Sequence, residues 1–179
     1  MAEIKAKPRF ATVWLGGCSG CHMSFLDLDE RLIGLAGRVE LCASPLTDYK
    51  DFLEADITLV EGAVANAEHL EHIQQIRQRT KVLVSLGDCA VTGNVTALRN
   101  IFPVEDVLDR AYRENATVVT GIPSGNGAVP RLLDRVRPVH EVVKVDYFIP
   151  GCPPSADTIH DFVMALLDGR TPVLDGRFG

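Results

Sequence analysis

Short apolar runs alternate along this chain with stretches whose apolar positions recur at helical spacing. Residues 9–15 (RFATVWL) are β-branched and aromatic and stop at Gly16-Gly17, which predicts a strand. After Cys21, HMSFLDLDERLIGLAG places Phe25, Leu28, Leu32 and Leu35 near helical spacing. Asp27, Asp29, Glu30 and Arg31 then face water, and the pattern predicts a helix ended by Gly34 or Gly37. RVELCAS (38–44) reads as a second short strand, and a polar link leads to DITLVEGAV, whose Ile57–Val60 core is a buried-strand run. Residues 66–79 predict an amphipathic helix capped by Asn66 with Leu70, Ile73 and Ile76 inward. KVLVSLGDCA is the next strand, stopped by Gly87, and 95–115 is helical in part with an interruption at Pro103. Residues 120–130 (TGIPSGNGAVP) read as a loop, RLLDRVRPVHEVV as a short helix broken by Pro138, and VKVDYFIP as the last strand. SADTIHDFVMALLDG is a helix capped by Ser155, with Ile159, Phe162, Val163 and Leu166 on one face.

Strands alternating with helices predict an α/β fold: a parallel sheet covered on both faces, in a single domain over 1–179. In such sheets the ligand crevice lies at the carboxyl ends of the strands. Cys18 and Cys21 follow the first strand, Glu61 ends the third, Cys89 follows the fourth and Cys152 follows the last. The topology therefore brings residues far apart in sequence to one rim.

Composition narrows what that rim can do. Hydrophobic residues make up 46% and mean hydropathy is +0.10, which points to extra apolar surface for a subunit interface or a well-filled core. No apolar run reaches the ~20 residues a membrane-spanning helix needs, and the net charge of −6 argues against nucleic acid. MAEIKAKPRF carries neither a secretory apolar region nor a twin-arginine signal, so the expectation is a cytoplasmic protein. Five cysteines in that setting point to metal or redox work rather than a disulfide framework.

Three chemistries compete for the thiols. Structural zinc usually pairs its ligands as two local C-x-x-C knuckles, whereas Cys89 and Cys152 stand singly. A thioredoxin-type pair uses Cys18 and Cys21 and leaves the other two unexplained. An iron–sulfur cluster fits best, because it tolerates scattered thiolates and wants a glycine-rich cradle whose N–H groups bond the sulfurs. Gly16, Gly17 and Gly20, Gly87, and Gly151 each sit close to a cysteine, and Pro153 and Pro154 stiffen the last loop. Cys42 lies in a strand pattern with no glycine beside it and reads as a small buried apolar residue. His69, His72, His140 and His160 lack metal spacing and read as structural or surface residues.

W-L-x-G-C-S-G-C, V-E-G, G-D-C-A-x-x-G-N and P-G-C-P-P, in that order from Trp14 to beyond Cys152, resemble the small subunit of [NiFe] hydrogenases. The related 20-kDa subunit of NADH–quinone oxidoreductase shares them, but carries two adjacent cysteines where this chain has Cys18-Ser19-Gly20-Cys21. Membrane-bound and periplasmic relatives add a twin-arginine signal and a C-terminal half with two further clusters. Neither stands in this sequence, which looks like the compact subunit of a cytoplasmic, NAD(P)-linked enzyme. Oxygen-tolerant relatives add two cysteines near the cluster, and Gly20 gives no sign of that arrangement.

The resemblance implies a flavodoxin-like fold and a [4Fe–4S] cluster on Cys18, Cys21, Cys89 and Cys152. It implies a nickel–iron site on a partner large subunit, and iron–sulfur and flavin diaphorase subunits that reduce NAD(P). The catalytic hydrogen chemistry would then have no residue in this chain. Around the cluster it points to Gly17, Ser19, Gly20, His22, Glu61, Gly87, Gly151 and Pro153. Glu61 would lower the potential or carry protons, against the plainer reading of a solvated strand-end carboxylate. His22 would donate a hydrogen bond, or simply cap or pack. Some cytoplasmic relatives are thought to hold FMN here; in this sequence the cysteine pair replaces the phosphate loop, and Thr120–Gly127 would contact a ring or a partner. The partner face is expected at 14–26 and the Cys89 and Cys152 loops. A quinone-linked subunit and a stand-alone carrier are the alternative functions. The first needs a membrane-docking surface for which no basic amphipathic helix is seen.

Overall fold

The structure, a computed structural model, describes residues 6–49, 52–115, 117, 121–123 and 128–174. Its elements in order are β1 (Arg9–Trp14), α1 (Gly20–Leu26), α2 (Arg31–Arg38), β2 (Glu40–Ala43), β3 (Ala55–Glu61) and β4 (Val64–Asn66). They continue with α3 (Ala67–Gln78), β5 (Thr80–Leu86), α4 (Asp88–Thr92), a 3-10 segment (Asn94–Ile101) and α5 (Val104–Tyr112). β6 (Leu132–Arg137), a 3-10 turn (Val139–Glu141), β7 (Tyr147–Ile149) and α6 (Ala156–Leu167) complete the fold.

Five strands pair in parallel in the order β2-β1-β3-β5-β7, the flavodoxin-like arrangement. β4 and β6 form a separate antiparallel pair. Alternation sends Phe10, Ile57, Leu59, Val84 and Leu86 to one face, where Leu35 of α2 and Ile159, Phe162 and Val163 of α6 cover them. Val13, Val60 and Leu83 point to the other face and meet Ile73 and Ile76 of α3 and Ala90 of α4. Burial on both faces is why β3 reads as a continuous apolar run.

Two expectations give way. The helix expected after Cys21 is two helices separated by a turn at 27–30, with Asp29 at φ 50. Aspartates compete for the backbone and weaken a helix interior. Gly34 and Gly37 lie inside α2, which runs on to Arg38. The short helix expected before Pro138 is the strand β6. Its tertiary partners decide it: β4 takes one edge, and Asn100 takes both backbone groups of Val136, accepting from its N at 2.7 Å and donating to its O at 2.8 Å. Of the loop expected at 120–130, Thr120 and 124–127 lie outside the described residues, and 121–123 carry no regular structure.

The last strand, expected over 143–150, is confined to Tyr147–Ile149, while β1, β2, α3, β5 and α6 hold to within a residue or two. Ser155 Oγ accepts from Thr158 N at 3.2 Å at the start of α6. Asn66 Oδ1 accepts from His69 N at 2.7 Å and caps α3. Among the described residues no helix is long and apolar enough to cross a membrane. Replacing the cap by Asn66→Ala is expected to cost about 1 kcal/mol in denaturant unfolding, with Asn66→Asp close to the unsubstituted protein.

Candidate metal centre

The loops at the carboxyl ends of β1, β3, β5 and β7 are stitched together by backbone and side-chain hydrogen bonds. Leu15 N donates to Glu61 O at 2.8 Å, and Gly16 and Ala63 exchange N–H···O bonds of 2.9 and 2.8 Å. Gly87 N donates to Ile149 O at 2.7 Å and Asp88 N to Gly151 O at 2.9 Å, while Gly151 N donates to Asp88 Oδ1 at 2.7 Å. Ser24 Oγ of α1 donates to Pro154 O at 2.6 Å. The four predicted thiols are thereby carried to one rim.

Cys21 is buried, Cys89 half-buried, and Cys18 and Cys152 exposed. Burial, then the Glu61 carboxylate and the other three thiols, push the Cys21 thiol far above its ordinary range. Burial also raises Cys89, followed by Cys18, Cys152, Glu61 and Asp88. Cys21 and Cys89 thus each lie within electrostatic reach of the other three sulfurs and of Glu61. Among the described residues, no group of three His, Cys, Asp or Glu side chains is drawn tightly enough to hold a metal ion. Cys42 stands apart: its Sγ lies 3.4 Å from Phe10 O and from Glu54 O, and its charged neighbours are Arg9, Glu40 and Asp56.

Glycines make the close approach possible. A Cβ on Gly87 would land 2.1 Å from Cys21 Sγ, and φ there is +79°. A Cβ on Gly20 would lie 3.2 Å from Cys18 Sγ, and one on Gly17 would meet Gly62 Cα at 3.2 Å. Gly151, at φ +135°, passes so close to Pro154 that a Cβ would fall 2.6 Å from its Cα. Ser19 adopts φ 66 ahead of α1 and gives no side-chain cap. Pro153 follows Cys152 through a cis peptide and is exposed.

Glu61 supplies the missing cap from another strand. Its carboxylate is 2% exposed and accepts from Cys21 N at 3.3 Å and His22 N at 2.9 Å. His22 Nδ1 lies 2.5 Å from Glu61 Oε2, with the ring buried and edge-on to Trp14 at 5.1 Å. The reading of Glu61 as a solvated strand-end group is therefore corrected: the turn after β3 folds it under α1. His22 packs and holds Glu61, and among the described residues its Nε2 has no hydrogen-bond partner. Ser24, Asp88 and Asn94, whose Nδ2 donates to Cys152 Sγ at 3.4 Å, also belong to the site. The sequence reading missed them as site residues; Asp88 and Asn94 flank Cys89 inside one motif, but nothing in the string says which neighbour points to the rim.

Residues 18–166 match the family described as NADH ubiquinone oxidoreductase, 20 Kd subunit. The chain belongs to that family. Within it, the chain is 44% identical over 173 residues to the NAD-reducing hydrogenase HoxS subunit delta of Cupriavidus necator, covering 94% of this chain and 83% of that one. A subunit of the F420-non-reducing hydrogenase of Methanothermobacter marburgensis is 39% identical, covering 95% of this chain, which spans only 56% of that protein. Among solved structures, a chain of an NAD⁺-reducing [NiFe]-hydrogenase in the H2-reduced state superposes with a TM-score of 0.90 at 45% identity, covering 93% of this chain and 94% of that one. The similarity of this family member therefore runs to hydrogenase subunits, as the Cys18–Cys21 spacing suggested.

Two glycines separate close approach from helix propensity. Gly87→Ala puts a methyl into the Cys21 sulfur at a left-handed position and is expected to destabilise the protein by about 2 kcal/mol or more. Gly37→Ala, with nothing within 4 Å of the new Cβ, is expected to stabilise it by about 0.5–1 kcal/mol. Thermal unfolding of the two variants checks the sign of each.

Proposed function

We propose that this chain, as one flavodoxin-like domain, is the electron-transfer small subunit of a cytoplasmic, NAD(P)-linked [NiFe] hydrogenase. Cys18, Cys21, Cys89 and Cys152 hold one [4Fe–4S] cluster. The nickel–iron site lies on a partner large subunit, and diaphorase subunits with iron–sulfur and flavin groups take the electrons to NAD(P). What carries the reading is the meeting of four thiols from three loops at one rim, with Cys21 and Cys89 each within electrostatic reach of the other three and of Glu61.

Bound at these thiols, the cluster supplies one-electron transfer at a potential adjusted by sulfur hydrogen bonds, burial and charge. The chain's own residues do the rest. Glu61 and His22 fix the backbone of Cys21, and Gly87 leaves room for its sulfur. Cys18 and Cys152 lie on the exposed side, and Trp14, Met23 and Leu26 add exposed apolar surface along 14–26. A partner covers that surface and excludes water from the centre.

The flavin expectation finds less support. The cleft beside β1, lined by Trp14, Tyr49, Phe52 and His72 among others, holds about 170 Å³. Pockets that seat cofactors usually hold about 300–1,000 Å³, and the turn that would take the phosphate is the cysteine loop. No step is assigned to FMN.

The complex purified without oxygen is expected to contain nickel and to reduce NAD⁺ with hydrogen. Cys89→Ala is expected to lose the cluster's iron and electron flow, with Cys42→Ala close to the unsubstituted protein in both. Iron analysis and hydrogen-dependent NAD⁺ reduction check this, and equal damage from the two variants would sink the ligand set.

A further inference from the structure

We propose that Asn94 tunes the redox centre held by the four thiols: its amide, donating to Cys152 Sγ, raises the reduction potential. This inference rests on the cysteine-ligated cluster of the preceding subsection. Asn94 Nδ2 stands 3.4 Å from Cys152 Sγ, within range of an N–H···S bond. Its backbone is in the left-handed region at φ 35, directly after Gly93 at φ 86. Two such residues in succession turn the chain from α4, which carries Cys89, into the 3-10 segment. Glycine meets that backbone demand at the least cost. An asparagine there bears some strain and in return places an amide at the rim, and strain of this kind concentrates where function requires it.

The backbone that carries the amide is held in position. Thr96 Oγ1 donates to Gly93 O at 2.6 Å, and Ala97 N donates to the same oxygen at 3.0 Å. Further along the segment, Arg99 donates to Leu133 O at 2.7 Å and Asn100 pairs with Val136. A donor fixed on a thiolate sulfur favours the state with more negative charge on that sulfur. Adding an electron to a thiolate-ligated cluster increases that charge, so the bond strengthens on reduction and the potential rises. Glu61 works in the opposite direction beside Cys21, where a buried anion opposes the added electron. The centre is thus bracketed by an anion on its buried side and a donor on its exposed side.

The test is an EPR-monitored redox titration of the anaerobically purified complex, reading the signal that Cys89→Ala removes. Asn94→Gly keeps the left-handed backbone and deletes the amide. Asn94→Asp keeps the shape and replaces the donor by a carboxylate. Both are expected to shift the reduced-to-oxidised ratio at fixed ambient potential about fivefold toward oxidised, ~40 mV lower at 59 mV per tenfold for one electron. An unchanged midpoint in either variant that retains the signal overturns the assignment. So does loss of the signal in both, which would make Asn94 a requirement for assembly rather than a tuning residue. Absence of any Cys89-dependent signal from the unsubstituted complex overturns the cluster reading itself, and this inference with it.

Discussion

A buried carboxylate is the constraint on which the rim depends. Glu61 sits at the end of the central strand β3, almost wholly removed from water, and a charge in that position is costly unless it is paired and hydrogen-bonded. Its partners are the first N–H groups of α1 and the ring of His22. Satisfying the carboxylate therefore requires the first cysteine loop to fold over the sheet and begin its helix there. The short helix α1, which has no side-chain cap of its own, requires the carboxylate in return. Two local deficits cancel, and the deepest thiol is placed as a consequence.

The other thiols are positioned by the same logic of shared backbone groups. Asp88 and Gly151 exchange hydrogen bonds between the Cys89 and Cys152 loops, and Ser24 anchors α1 to Pro154. Each contact spans a long stretch of sequence and rests on a strand end fixed by the parallel ladder. Sites supported by strands and helices hold their geometry better than sites on free loops. Here the glycines allow sulfur and backbone to come closer than any side chain would permit. Burial and the neighbouring negative charge push the Cys21 thiol above its ordinary range.

Much of this could be read from the string. The alternation of apolar runs and amphipathic stretches set the parallel sheet. The positions of Cys18, Cys21, Cys89 and Cys152 after strand-like segments placed them on one rim. Capping at Asn66 and Ser155 was equally legible, because a cap involves residues three apart. The misreadings share a cause. β6 is a strand because β4 and Asn100 lie beside it, and the helix after Cys21 breaks at a turn whose aspartates read as an exposed helical face.

By itself, then, the sequence determined what local periodicity and spacing can encode: the order of elements, the fold class, the thiol set and the glycines beside it. Tertiary structure alone decided which side chains meet at the thiols. Glu61 and His22 meet across 39 residues and Asn94 and Cys152 across 58, and no periodicity links positions so far apart. Only the folded sheet brings them within hydrogen-bonding distance.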